Sequence, residues 1–280
     1  MIGLGIDLFR YGGGGGPAFT VSNSLIFTAA SSQRGVQTLS SPTATNKWTF
    51  STWFKIVATG TNNMLLSAGS TTSNFAYIKV NASNQIEVFT GTGGGIDGYV
   101  YTGAVVTSAD TWYHLTVKYD GTAAASSRIT VYLDGSPKSL TVNTEWPTTS
   151  TYLNTAIAHG LGVRNRAGTF DQYLNGKLSE TYLIDGQALD YSGFYDGSPV
   201  LYTGTFGNNG FYLDYKDGTS TTTLGYDVSG NDNHWTLVNM TTANQSTDVP
   251  GSSAPPSLSP SLFLAFDSSE ASFVDTGLTS

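Results

Sequence analysis

Apolar and polar positions alternate along most of this chain in short runs, without the sustained 3.6-residue rhythm of a long helix. In "KWTFSTWFKIV" (47–57), Trp48, Phe50, Phe54 and Ile56 fall an even number of residues apart with polar neighbours between them, the period of a half-buried strand. "SLIFTA" (24–29), "NMLLSAG", "NFAYIKVNASNQIEVFTG", "TWYHLTVKYDG" and "RITVYLDGSPKSL" repeat the habit, each bounded by Gly, Asn, Asp or Pro. "LDGSP" sets Asp-Gly between two apolar-periodic runs, a hairpin signal. Strands at this spacing predict an all-β sandwich. A second series follows: "LNGKLSETYLIDGQAL" (174–189), closing in a short helical turn, then "GSPVLYTGTFGNNGFYLDYKDG" and "YDVSGNDNHW" (226–235).

The two ends read differently. Residues 1–19 form an arm with an apolar tip of Ile2, Leu4, Ile6, Leu8 and Phe9, followed by five glycines that suit a flexible linker. Because the tip alternates apolar residues with Gly or Asp, it is a candidate to add as a strand to a neighbour's sheet; a frayed terminus is the alternative. Residues 251–280 read as a Pro/Ser linker and a strand-like tail, leaving 20–250 for the sandwich. Without a basic n-region, and with its apolar run broken by Gly3, Gly5 and Asp7, the N-terminus does not read as a secretory leader. No stretch has the length of a transmembrane helix, so membrane insertion is not expected.

Composition narrows the classes. Charged residues make up only 11%, while 16 Tyr, 14 Phe and 5 Trp supply bulk for a core, which argues against disorder. A net charge of −8 with no basic run argues against nucleic acid as a partner. With no Cys, thiolate zinc sites, thiol catalysis and disulfides are excluded together.

Four stretches in order, "WTFSTWFKI" (48–56), "TWYHLTVKYDGT" (111–122), "ITVYLDGSP" (129–137) and "LNGKLSETYLIDGQAL" (174–189), resemble the laminin-G-like members of the concanavalin A-like lectin/glucanase superfamily. The resemblance implies a two-sheet antiparallel jelly-roll sandwich, flanked here by the N-terminal arm and C-terminal tail. Residues 210–241 resemble a subgroup from tailed-phage structural proteins, in which Asp-x-Ser-Gly-Asn-x-Asn-x-Trp-Thr precedes Asp-Thr-Pro; this chain has Asp248-Val249-Pro250 in that last place. That subgroup implies a virion protein: a capsid decoration or head fibre, or a tail-fibre or adhesin subunit. Its partners would be other virion proteins, reached through arm and tail, and by analogy it would be a homo-oligomer.

The chemistry-bearing residues are sparse. The glucanase pattern Glu-x-Asp-x-x-Glu is absent, and Asp185 lies an odd number of residues from Glu180, so a regular strand would point the two to opposite faces; a non-enzymatic protein is expected. His114 reads as a hydrogen-bonded strand residue, whereas His159 and His234 sit near turns. Sugar binding is the competing function, with host glycans as partners. It would draw on loop aromatics: Trp146 in "NTEWPTTS", then Tyr99 and Tyr101 beyond the Gly-rich loop at 91–98. Calcium is the one cofactor considered, with Asp227, Ser229, Asn231 and Asp232 as ligands. Its loop pattern fails where Gly230 takes the fourth position instead of the sixth and Val238 stands in place of the bidentate Glu, so an Asx-type turn is preferred.

Overall fold

A computed structural model of the chain describes residues 19–150 and 152–251. The arm residues Ile2, Leu4, Ile6, Leu8 and Phe9 and the tail after residue 251 lie outside the described residues. In chain order the first strands are β1 (Ser24–Phe27), β2 (Arg34–Thr38), β3 (Lys47–Ile56), β4 (Asn63–Thr71), β5 (Asn74–Val80), β6 (Ile86–Gly91), β7 (Gly98–Thr102), β8 (Tyr113–Asp120) and β9 (Ile129–Leu133). They are followed by β10 (Ser136–Pro137), β11 (Leu140–Thr144), β12 (Ala158–Leu161), β13 (Arg164–Arg166), β14 (Thr169–Asp171), β15 (Gly176–Asp185), β16 (Phe211–Leu213), one helical turn α1 (Thr221–Leu224), β17 (Thr236–Val238) and β18 (Gln245–Ser246).

These strands form an all-β sandwich of two antiparallel sheets. The first runs β10-β9-β8-β3-β15-β1-β18, with β16 also pairing β15; the second runs β11-β7-β6-β5-β4-β12-β2-β17, and β13–β14 forms a separate hairpin. Strand alternation fills the interior. Trp48, Phe50, Phe54 and Ile56 of β3 and Leu115, Val117 and Tyr119 of β8 meet Ala76, Ile78 and Val80 of β5 and Ile86 and Val88 of β6 in one buried core. The Asp134-Gly135 turn has φ of 51° and 70°, the backbone a tight two-residue hairpin demands. The helical turn expected near 186–189 falls slightly later, as a 3-10 turn at Tyr191–Gly193 capped by Asp190.

Beyond β15 the chain folds back over the outer face of the first sheet. Tyr182, Ile184, Phe194 and Tyr212 form a second buried cluster, with Leu189, Tyr202 and Phe206 packed against it. His114 lies under this cover: Tyr195 stacks on its ring at 5.1 Å, and Nε2 and Ser51 Oγ are 3.0 Å apart. Burial pushes its pKa down to about 3.

Candidate functional site on the outer face of the second sheet

On the outer face of the second sheet, strand register assembles two rows across β5, β6 and β7. Tyr77 pairs with Phe89, and Phe89 with Tyr99; Lys79 pairs with Glu87, and Glu87 with Tyr101. Their alternating partners Ala76, Ile78, Val88 and Val100 point into the core, so the same period-two pattern that fills the interior places these side chains outside. Phe75 extends the aromatic row.

The rings touch in sequence. Tyr77 stacks on Phe89 at 5.0 Å and 15°, Phe75 lies 5.4 Å from Phe89, Phe89 meets Tyr99 edge-on at 6.1 Å, and Tyr99 lies 5.4 Å from Tyr101. Phe75, Phe89, Tyr99 and Tyr101 remain partly exposed, whereas Tyr77 is buried. Glu87 fixes the polar side of this platform. It accepts from the Tyr77 hydroxyl at 2.6 Å and Asn81 Nδ2 at 2.9 Å, and pairs with Lys79 at 3.3 Å. Burial first, then the Glu87 charge, raises the pKa of the Tyr77 phenol, and the same two causes in the same order raise Tyr99. Both phenols therefore stay protonated as donors at neutral pH.

The β13–β14 hairpin borders the platform. Arg164 holds Asp171 bidentately, both bonds at 2.6 Å, and Arg166 adds a third at 2.8 Å. The Arg164 hydrogen bond leads the causes that hold the Asp171 carboxyl below its ordinary range. Both guanidinium groups lie within 6 Å of the Phe75 ring centre, at 5.6 and 5.8 Å, so the cations cover one end of the aromatic row. Flat, half-exposed rings, fixed in place by this buried network, suit non-covalent grip of a ligand with one apolar face.

The residues singled out from the sequence divide. Tyr99 and Tyr101 belong to the platform, on a strand and not on a loop. Trp146 does not: only 2% of it is exposed. Its ring packs edge-on to Trp48 at 6.4 Å and against Tyr119 at 5.8 Å. Gly98 leaves room for it, since a Cβ there would lie 2.9 Å from the indole. The loop-like surroundings are real, but the indole turns inward to close one end of the core, which corrects its reading as a ligand-stacking residue. His159 is likewise buried: Nε2 accepts from the Asn154 N–H at 3.2 Å and Nδ1 bonds the Ile157 carbonyl at 2.9 Å. Burial lowers its pKa to about 4.

Asp227, Ser229, Asn231 and Asp232 are not gathered around one point. One Asp227 oxygen accepts the Tyr212 and Ser229 N–H groups, and the other accepts the Ser229 hydroxyl and Asn233 N–H. Donors thus occupy the carboxylate that calcium would need. Asn231 and Asn233 donate their amides to carbonyls at 207–210, and the Asp232 side chain is 88% exposed. The stretch is an Asx-organised turn that clasps a neighbouring loop. Among the described residues no group of three or more His, Cys, Asp or Glu is placed to hold a metal ion.

Glu180 and Asp185, the acid pair weighed for hydrolysis, diverge as their odd spacing implies. Asp185 is paired with Trp48 and accepts from the backbone N–H groups of Thr43, Ala44 and Asn209 and from the Asn154 amide. Glu180 instead joins Tyr182 and Tyr212 under the second cluster. Phe75, Tyr77, Lys79, Glu87 and Phe89 were not singled out from the sequence. The signal was there as parity: "NFAYIKV", "IEVFTG" and "GYVYT" each put aromatic or charged residues on the positions opposite their small aliphatic ones.

Comparison with known proteins agrees with this architecture. Among solved structures, a putative carbohydrate binding protein from Bacteroides ovatus is 16% identical, with 83% of this chain and 62% of that chain covered at a TM-score of 0.55. A SAP-like pentraxin from Limulus polyphemus is 15% identical over 60% of this chain and 78% of its own, at 0.45. The Ruminococcus gnavus IT-sialidase CBM40 bound to α2,3 sialyllactose is 14% identical over 57% and 89%, at 0.43. No curated protein matches the sequence. Residues 30–191, more than half of the chain, match the family described as the concanavalin A-like lectin/glucanases superfamily, and the chain belongs to that superfamily.

Proposed function

We propose that this protein is a non-enzymatic carbohydrate-binding module that grips glycans on the outer face of its second sheet. The observation that carries this reading is the platform itself: a contacting row of partly exposed rings from Phe75 to Tyr101, held in place by a buried network of the Tyr77 hydroxyl, Glu87, Asn81 and Lys79. Pyranose rings offer an apolar C–H face to such an aromatic plane. The sandwich likeness to the Bacteroides ovatus putative carbohydrate binding protein is in keeping with it. Glycan-array screening followed by calorimetry tests the proposal. The double substitution Tyr99→Ala, Tyr101→Ala is expected to weaken the glycan found by at least about tenfold, roughly 1.4 kcal/mol, with the fold retained. Unchanged affinity would remove the platform from the function.

The virion setting is a second proposal, carried by the resemblance of residues 210–241 to phage structural proteins. There the module would display its platform to host-surface glycans. Locating the protein in purified particles by cryo-electron microscopy tests it, and absence from the particle ends it.

A further inference from the structure

We propose that the cleft between α1 and β17 is a second binding site, built for the ring of a neutral sugar. It lies outside the residues that match the superfamily and does not depend on the platform. The cleft measures about 340 Å³, within the range of small-molecule sites. Its rim is a stacked pair: Tyr226 and His234 lie 4.3 Å apart at 15°. Tyr226 is 39% exposed and the His234 side chain 40%, an aromatic pair held at the surface by the turn that Asp227 organises. Leu237 and Trp235 supply apolar walls, and Thr221, Thr222 and Thr236 bring three hydroxyls.

The polar groups here are unspent. None of the three threonine hydroxyls is hydrogen-bonded within the described residues. The tautomer of His234 is fixed from behind: Nδ1 accepts the Asp227 N–H at 3.1 Å, so the neutral ring carries its proton on Nε2 as a donor. No Asp, Glu, Lys or Arg lines the cleft; the nearest charge found on these residues is Asp232, 3.8 Å from Nε2. An apolar plane, hydroxyls able to donate and accept, one fixed N–H donor and no charged wall fit a ring with one C–H face and several hydroxyls. They offer nothing to compensate the desolvation of a charged group.

The test is a ¹H–¹⁵N NMR titration of the full chain with glucose, galactose, mannose and N-acetylglucosamine, to about 50 mM, the weak end of affinity for single rings. At least one sugar is expected to shift the Tyr226, His234 and Thr222 amides saturably. Tyr226→Ala should weaken that binding by about tenfold or more. Thr222→Val, which keeps the shape and removes one hydroxyl, should weaken it less. Both variants should keep the wild-type spectrum elsewhere. The platform variant Tyr99→Ala, Tyr101→Ala should leave these shifts in place, which separates failure here from failure of the platform. The proposal is overturned if none of the four sugars moves these amides saturably, if Tyr226→Ala binds as tightly as wild type, or if the platform variant abolishes the shifts.

Discussion

The two sheets carry aromatic and ionisable side chains on their outer faces, and the chain treats those faces in opposite ways. On the first sheet Trp53, His114 and Tyr182, the last beside Tyr212 of β16, are roofed by the segment after β15, with Phe194 and Tyr195 laid over them. On the second, Phe75, Phe89, Tyr99 and Tyr101 are left partly in solvent, with the β13–β14 hairpin leaning on one margin. A sandwich needs only its inner faces for a core. An aromatic outer face is therefore either a second core awaiting a cover or a surface for something else. Among the described residues this one sequence contains both arrangements.

The largest expected effect is a stability contrast. Phe194 is fully buried in the roof, so Phe194→Ala should cost about 3–5 kcal/mol, as for buried Phe elsewhere. Phe89 packs in its row but keeps one side in water, and Phe89→Ala should cost only about 1 kcal/mol while weakening the glycan. Urea unfolding of both variants measures the gap. Equal costs would mean that the platform is core, and the contrast between the faces would collapse.

Next in size is a pH effect confined to the roofed face. Glu180 interrupts the regular pairing of β15 and β3 at φ 48°, accepts from the Tyr182 and Tyr212 hydroxyls, and has one buried oxygen without a partner. Burial raises its pKa from 4.5 to about 7, although the Tyr212 hydrogen bond pulls the other way. The folded state thus holds a proton that the unfolded chain has released. This contribution is complete below the unfolded value and is lost as pH rises through about 7, a change on the order of 3 kcal/mol at most. Unfolding free energy measured between pH 4 and 8 should fall in the wild type by more than in Glu180→Gln, where no proton is exchanged. Parallel profiles would show that Glu180 ionises as freely in the fold as outside it.

How much of this was legible follows from range. Alternation in β3, β5 and β8, and the Asp134-Gly135 turn, are local and predicted the sandwich. The divergence of Glu180 and Asp185 is local too, an odd spacing along β15 that leaves Asp185 opposite Trp48. The inward turn of Trp146 is not legible locally, because its neighbours in sequence, Glu145 and Pro147, are a surface loop, whereas its partners Trp48, Tyr119 and Gly98 lie far away in the chain. The platform is half legible: Tyr99 and Tyr101 stand out beside a Gly-rich loop. Phe75, Tyr77 and Phe89 become a site only when register lays β5, β6 and β7 side by side. Which outer face would be roofed depends on where residues 187–215 fold back, and periodicity carries no information on that.

The smallest effect expected is at the margin of the roofed face, and it tests whether the two faces are independent. Lys55 and Lys177 stand directly opposite each other on β3 and β15, a like-charge pair that is unfavourable alone. Asp248 lies between them at 2.8 and 2.6 Å and also accepts from the Trp112 indole at 3.0 Å, which ties the end of the described chain to the first sheet. Burial by itself would raise this carboxyl, but Lys177, Lys55 and Trp112 hold it at about 2. The stabilisation is therefore present above its ordinary value of 3.8 and is lost as pH falls through about 2. Because the carboxylate is about one-third exposed, solvent screens it, and Asp248→Asn should cost no more than about 1 kcal/mol, shrinking as salt is raised. Affinity at the platform should not change, since this clasp sits on the other sheet. If Asp248→Asn weakens glycan binding as well as stability, the two outer faces are coupled through the core, and the open face owes part of its shape to the roof on the other side.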